Sequence, residues 1–279
     1  MLGAFAGDII GSVYERYNIK SKEFELFTDM NRFTDDSVMT AAIANACCSY
    51  NKKRSKSSFK KNCIRNMKEL GLSHINAGYG GTFIKWLVSD SCDPYNSFGN
   101  GSAMRVSPVG WVANSLHEAE KLAKCSAEVT HNHPFGIAGA QAVAAAIFLL
   151  RNGATKEEVR KYIDEKYYDL DFTLDDIRDS YEFDVTCQGS VPQAIVAFLE
   201  SDSFEDTIRN AVSLGGDSDT IAAIAGSMAE AYYGIPEDIK RQVISYLDDA
   251  LLQSLNSFYS QVVKRNISEE KTNGKIRWF

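Results

Sequence analysis

The chain has 279 residues, 44% of them hydrophobic and 24% charged, a balance that suits a folded globular protein and excludes disorder and fibrous repeats. Its formal net charge of −7 and pI near 5.2 exclude nucleic acid as a bulk electrostatic partner, because that role needs a basic face to displace counterions. Helical periodicity runs through most of the sequence and alternating β-branched runs are nearly absent, so the predicted fold class is all-α.

The first predicted helix runs from Leu2 to Tyr14. Gly3, Gly7 and Gly11 recur every four residues along one face, where a neighbour can approach closely. Asp8 and Glu15 lie nearly two turns apart and share a face, either hydrogen-bonded internally or aimed into a site. Helices are then expected over Asp35–Tyr50, Lys56–Leu70, Thr82–Val88 and Leu116–Val129. The basic stretch Lys52 to Lys68, with Lys53, Arg54, Lys56, Lys60, Lys61 and Arg65, reads as a solvated face.

The helix over Gly136–Asn152 overlaps the most apolar window, Phe135 to Leu150. Gln141 interrupts that window, which is shorter than the roughly 20 residues of a bilayer span, so a buried helix and no membrane partner are expected. Lys156–Tyr167 opens on a capping-box pattern, Thr155 with Glu158. Pro192–Glu200, Phe204–Leu214, Thr220–Tyr233 and Pro236–Tyr259 complete the series, the last with proline at a favourable first-turn position.

No linker or repeat divides the chain, so one domain over 1–279 is expected, with a polar tail from Lys264 to Phe279 that Trp278 and Phe279 tack back onto the body. Six cysteines without C-x-x-C spacing, and a start, MLGAFAGD, without a basic n-region, indicate reduced thiols and a cytoplasmic location.

Two segments pair acids with hydroxyls at predicted helix starts: Thr34-Asp35-Asp36-Ser37 and Gly216-Asp217-Ser218-Asp219-Thr220. Each alone reads as an N-cap, where such oxygens satisfy free amides and the helix dipole favours negative charge. Capping needs one side chain per helix, and each start offers two carboxylates and a hydroxyl. Oxygen-only ligands suit hard cations such as magnesium, manganese or calcium. If the segments meet, four aspartates share a small volume and require cations to neutralise them. An EF-hand starting at Asp217 is excluded by Ile221 and Ala222 at its fifth and sixth positions.

The glycines of Phe98-Gly99-Asn100-Gly101-Ser102-Ala103-Met104-Arg105 permit close approach of backbone to a ligand, and amides in such a loop can cradle phosphate; a plain turn is the alternative. In Thr130-His131-Asn132-His133-Pro134, the H-x-H pair is weak evidence for zinc, and the imidazoles are expected to contact a ligand or cap a turn.

With these pieces in hand, the chain resembles the ADP-ribosylglycohydrolase family, which includes the dinitrogenase-reductase-activating glycohydrolases. The resemblance spans nearly the full length. It rests on GAFAGDIIGSVYE at 3–15, FTDDSVMT at 33–40, GYGGTF at 78–83, GNGSAMRVSPVG at 99–110, THNHPFGIAGAQAVAAAI at 130–147, QGSVPQAIVAFLES at 188–201 and LGGDSDTIAAIAGSMAEAYYGIP at 214–236.

The resemblance implies a compact orthogonal helical bundle with a binuclear metal centre in a central cleft, two Mg2+ or Mn2+ ions, and hydrolysis of an ADP-ribosyl bond on a protein or small molecule. It implies metal ligands at Thr34, Asp35, Asp36, Asp217, Asp219 and Thr220, and catalytic roles for Glu15, Asp35 and Asp36. Its ADP-ribose-binding loop falls on Ser97, Phe98, Gly99, Asn100 and Gly101, with Phe98 at an adenine-stacking position and His131 reaching the ligand. Ser37 and Phe135 depart from the family pattern, the second at the rim where the acceptor enters. A monomer is expected. The competing expectations are a non-catalytic ADP-ribose binder and a hydrolase of another ribosyl metabolite.

Overall fold

A computed structural model of the protein describes residues 1–50 and 56–263. Lys52, Lys53 and Arg54 of the basic stretch, and the tail from 264 to 279, lie outside the described residues.

Among the described residues the secondary structure is helical, with one isolated antiparallel bridge between Gly99 and Thr186 and no strand. The helices are α1 (Leu2–Gly11), α2 (Asp35–Cys48), α3 (Lys56–Ser73), α4 (Gly81–Val88), α5 (Gly101–Met104), α6 (Ser107–Val112), α7 (Leu116–Ala127) and α8 (Pro134–Arg151). They continue as α9 (Lys156–Lys166), α10 (Leu174–Ile177), α11 (Cys187–Leu199), α12 (Phe204–Val212), α13 (Ser218–Tyr233), α14 (Glu237–Tyr246) and α15 (Asp249–Phe258), which runs into a π-helical turn.

The centre is α13, buried without interruption from Ser218 to Ala231. Its alanines and Gly226 present so little bulk that α1, α8, α11 and α12 all pack on it. The tightest approach is to α1, and the glycines of α1 make it possible. A Cβ on Gly3 would lie 2.2 Å from the Gly226 carbonyl oxygen, one on Gly7 2.0 Å from that of Ala222, and one on Gly11 2.5 Å from Asp219 Cα. Helix backbones in contact leave no room for a side chain, so this stripe of three glycines fixes where Asp8 stands relative to the start of α13.

The apolar helix α8 matches a membrane span in length and composition, with a mean hydropathy of 1.5. Here it packs against α5, α6, α7 and α13, with Gly139, Ala140 and every residue from Ala142 to Ile147 buried.

Three of the boundary shifts have a clear local cause. Helix α11 begins at Cys187, five residues before Pro192, because Thr186 caps it by accepting from the Gly189 amide at 3.0 Å. Proline then sits inside the helix and removes one ladder bond. The long helix expected over Pro236–Tyr259 divides at Leu247, where Asp248 caps a new start by accepting from the Leu251 amide at 2.9 Å and also meets His74 Nε2 at 2.7 Å. An aspartate that bonds the backbone locally competes with continuation of the helix. Helix α1 ends at Gly11, with Ser12 Oγ donating back to the Ile9 carbonyl at 2.8 Å.

Candidate active site

The starts of α2 and α13 meet. Thr220 Oγ1 donates to Asp36 Oδ2 at 3.1 Å, which ties together residues 184 positions apart. The chain reaches Asp217 through Gly215 and Gly216, whose φ angles of +66° and +68° suit residues without a Cβ. Asn18 fastens this turn, accepting from the Gly216 amide. Two sets of carboxylates each bring oxygens within 4.8 Å of one another: Asp8, Asp36 and Asp219, and Glu15, Asp217 and Asp219. Asp219 belongs to both.

The roles of the acids differ, and their hydrogen bonds show how. Asp8 is spent on the backbone: it accepts from the amides of Thr34 (2.9 Å) and Ser37 (3.0 Å), from Thr34 Oγ1 (2.7 Å) and from Ser37 Oγ. It clamps the start of α2 from the neighbouring helix, which settles the choice left open for Asp8 in favour of internal bonding. Thr34 completes the cap by accepting weakly from the Asp36 amide at 3.3 Å.

With that capping done, Asp36 Oδ1 is buried with no hydrogen-bond partner among the described residues. Asp217 is the N-cap residue of α13, yet its side chain makes no capping bond; Oδ2 accepts instead from Asn100 Nδ2 at 2.6 Å. Asp35 lines the same cleft and is only half-buried, outside both tight sets.

Burial dominates the electrostatics. It raises the carboxyl of Asp35 to about 8, with Asp8, Asp217 and Glu15 adding to the rise. Burial, then like charge, also holds Asp36 and Asp219 well above the ordinary carboxylate range. Glu15 is raised by burial and by Asp217, against the pull of Arg32 and Arg16. Asp217 rises by burial, against the Asn100 hydrogen bond. So many acids resisting ionisation together form a site that demands compensating positive charge. A buried oxygen without a partner, in a set with no sulfur or imidazole, fits a hard divalent cation.

A cleft of about 560 Å³ opens over these acids. Its wall includes Ser97, Gly99, Asn100, Gly101 and His131, so the glycine loop and the acidic starts share one cavity. The bridge between Gly99 and Thr186 holds the loop, through Asn100 N to the Val185 carbonyl at 2.8 Å and Cys187 N to the Phe98 carbonyl at 3.0 Å. Phe98 does not line the cleft. It is 48% exposed, with its ring 5.3 Å from that of His133. The two histidines separate: His131 is buried in the cleft wall, while His133 caps α8 by accepting from the Phe135 amide at 3.2 Å.

The sequence reading gave no role to Arg105, which is 1% exposed and lines the cleft. Burial pulls its guanidinium down to about 10. Arg16 and Arg32 at the mouth, and Phe183 and Val185 on the rim, were also unassigned. For Arg105 a signal existed, its position at the end of the glycine loop; for the rim residues none did.

An all-helical protein whose centre gathers carboxylates into one cleft beside a glycine loop is of the class built around a candidate hard-cation site. More particularly, the chain belongs to the ADP-ribosylglycohydrolase family, whose model matches residues 1–269. Family membership brings hydrolase chemistry with it.

The ADP-ribosylhydrolase ARH3 of Mus musculus is 26% identical over 94% of this chain and 91% of its own length. The ADP-ribosylarginine hydrolase Tri1 of Pseudomonas putida is 27% identical over 91% of this chain and 76% of its own. A solved ADP-ribosylglycohydrolase-related protein complex shares the fold, with a TM-score of 0.62 and 21% identity over 93% of this chain and 96% of that one.

Proposed function

We propose that this protein is a divalent-metal-dependent hydrolase that cleaves the glycosidic bond between ADP-ribose and an acceptor. The observation that carries the reading is the convergence of Glu15, Asp35, Asp36, Asp217 and Asp219 in one cleft with Ser97, Gly99, Asn100, Gly101 and His131. The ligands assigned to two Mg2+ or Mn2+ ions are Thr34, Asp35, Asp36, Asp217, Asp219 and Thr220. When bound, such ions supply Lewis acidity toward ribose hydroxyls and lower the pKa of water.

The protein's own part is to orient and to move protons. Asn100 holds Asp217 in place, and Thr220 holds Asp36. Water adds to the anomeric carbon of the distal ribose as the bond to the acceptor breaks, and the acceptor leaves with a proton. The oxocarbenium-like transition state gains from the surrounding carboxylates. Glu15 and Asp36, both with raised affinity for a proton, are the two candidates to receive the one that water releases. The lack of C-x-x-C spacing among the six cysteines supports work in a reducing compartment such as the cytoplasm.

The test is a panel of defined ADP-ribosyl linkages on arginine, serine and small acceptors, incubated with Mg2+, Mn2+ or chelator and read by mass spectrometry. Release of ADP-ribose that needs metal and disappears in Asp36→Asn supports the reading. Tight ADP-ribose binding without turnover of any linkage would establish a binder instead.

A further inference from the structure

His131 sits at the end of a buried donor chain that decides which of its nitrogens carries the proton. Arg105 Nη2 donates to Thr130 Oγ1 at 2.8 Å, and Thr130 Oγ1 lies 2.7 Å from His131 Nδ1. Guanidinium has donors only, so the Thr130 oxygen is the acceptor in the first contact. Thr130 is completely buried, and these are its only side-chain bonds among the described residues. Its single hydroxyl hydrogen therefore has one place to go, the lone pair on Nδ1. The opposite arrangement, Nδ1–H donating to Thr130, would strand a buried hydroxyl hydrogen, a cost comparable to a lost hydrogen bond.

We infer that Arg105 and Thr130 are positioning residues that hold His131 as the Nε2-protonated tautomer, with that N–H presented to the cleft as a donor for a substrate oxygen. Nε2 has no partner among the described residues and stands at the glycine loop, 3.2 Å from where a Cβ on Gly101 would lie and 3.6 Å from one on Gly99. The absent side chains keep this nitrogen accessible. Burial, then the nearby Arg105 charge, push the imidazole well below its ordinary range, so it stays neutral near pH 7. A neutral ring with its proton on Nε2 is a hydrogen-bond donor there, and has no free lone pair on that atom for metal ligation or for general-base work. The identity of the oxygen it meets, on the ribose or diphosphate of ADP-ribose, rests on the proposed function.

The full-length protein labelled with 15N at histidine, with Mg2+ present, gives a direct readout. Long-range 1H–15N correlation distinguishes a bare from a protonated ring nitrogen, and His131→Gln assigns the signals among the four histidines. The expected result is a bare Nδ1 and a protonated Nε2 in the wild type. Thr130→Ser retains that pattern, whereas Thr130→Val gives averaged nitrogens and binds ADP-ribose roughly five- to tenfold more weakly, the worth of about one hydrogen bond.

A wild-type His131 with its proton on Nδ1, or on both nitrogens, overturns the inference without any variant having to fold. So does a folded Thr130→Val protein with an unchanged His131 pattern. If the tautomer is as expected but bound ADP-ribose leaves the His131 Nε2 signal unmoved, the donor role is overturned; if ADP-ribose does not bind at all by calorimetry and no linkage is cleaved, the tautomer stands and the hydrolase reading fails.

Discussion

Replacing Gly7 by alanine tests the contact on which the site geometry depends. The new Cβ would lie 2.0 Å from the Ala222 carbonyl oxygen, 2.2 Å from its carbon and 2.5 Å from Ala223 N. Ordinary contact begins at 3.4 Å, so α1 and α13 must separate by roughly 1.4 Å, and the obstructing atoms are backbone that cannot rotate away. Two effects oppose each other. Alanine favours a helix interior over glycine by about 1 kcal/mol, while overpacking a close interface costs about 1–3 kcal/mol and more where backbone must move.

The steric term wins, giving a net loss of about 2 kcal/mol in guanidinium unfolding. Gly81→Ala is the control: nothing lies within 4 Å of its Cβ position, and it should be neutral or mildly stabilising. Separation of α1 from α13 also moves Asp8 and Glu15 away from Asp219, so Mg2+ affinity measured by calorimetry should fall with stability. A Gly7→Ala protein as stable as the wild type would show that the helices do not meet as described.

Removing Asp8 by Asp8→Ala strands the amides of Thr34 and Ser37, and should cost at least about 3 kcal/mol in chemical denaturation, with helical content near α2 reduced. Metal-free stability should fall as pH rises from about 6 to 8. Asp35 keeps its proton in the folded protein up to about 8 but loses it near 3.8 when unfolded, so the folded state is increasingly penalised across that window. Melting curves with chelator and with Mg2+ check this: the metal should stabilise more at pH 8 than at pH 6, and a metal-free melting temperature that climbs with pH refutes it. Asp248→Ala should cost about 1 kcal/mol by uncapping α15, measured by urea unfolding.

Much of this was legible in the sequence because long periodic segments and acidic helix starts are local signals. The glycine stripe of α1, the alanine face of α13 and the pairs at 35–36 and 217–219 all announced themselves by spacing. Helices α5, α6 and α10, of four to six residues, are too short for a 3.6-residue period to register. The break at Leu247 was missed even though Asp248-Asp249 before an apolar run has the form of Asp35-Asp36, a start signal overlooked inside an expected helix. Burial was the harder problem. The place of Arg105 at the end of the glycine loop points to it without showing that it is buried, and nothing local shows that Phe98 sits on the outer side of its loop.

The same structure separates an aspartate that caps from one that serves a site. Across α7, α9, α10, α11, α12 and α15 the N-cap side chain accepts from one amide of its own helix's first turn. At α2 that task falls to Thr34 and to Asp8 reaching across from α1, which leaves Asp36 Oδ1 with nothing to bind. At α13 the N-cap aspartate is turned away from its own helix toward Asn100. Helix N-termini carry partial positive charge, so two of them aimed at one point lower the cost of gathering carboxylates there without consuming their oxygens. Capping from a neighbouring element is therefore what frees Asp36, while at α13 Asp219 Oδ1 accepts from the Thr220 amide at 2.9 Å and Asp217 is left to Asn100. It also explains why a motif that looks like a cap in one dimension lies unspent at the floor of the cleft in three.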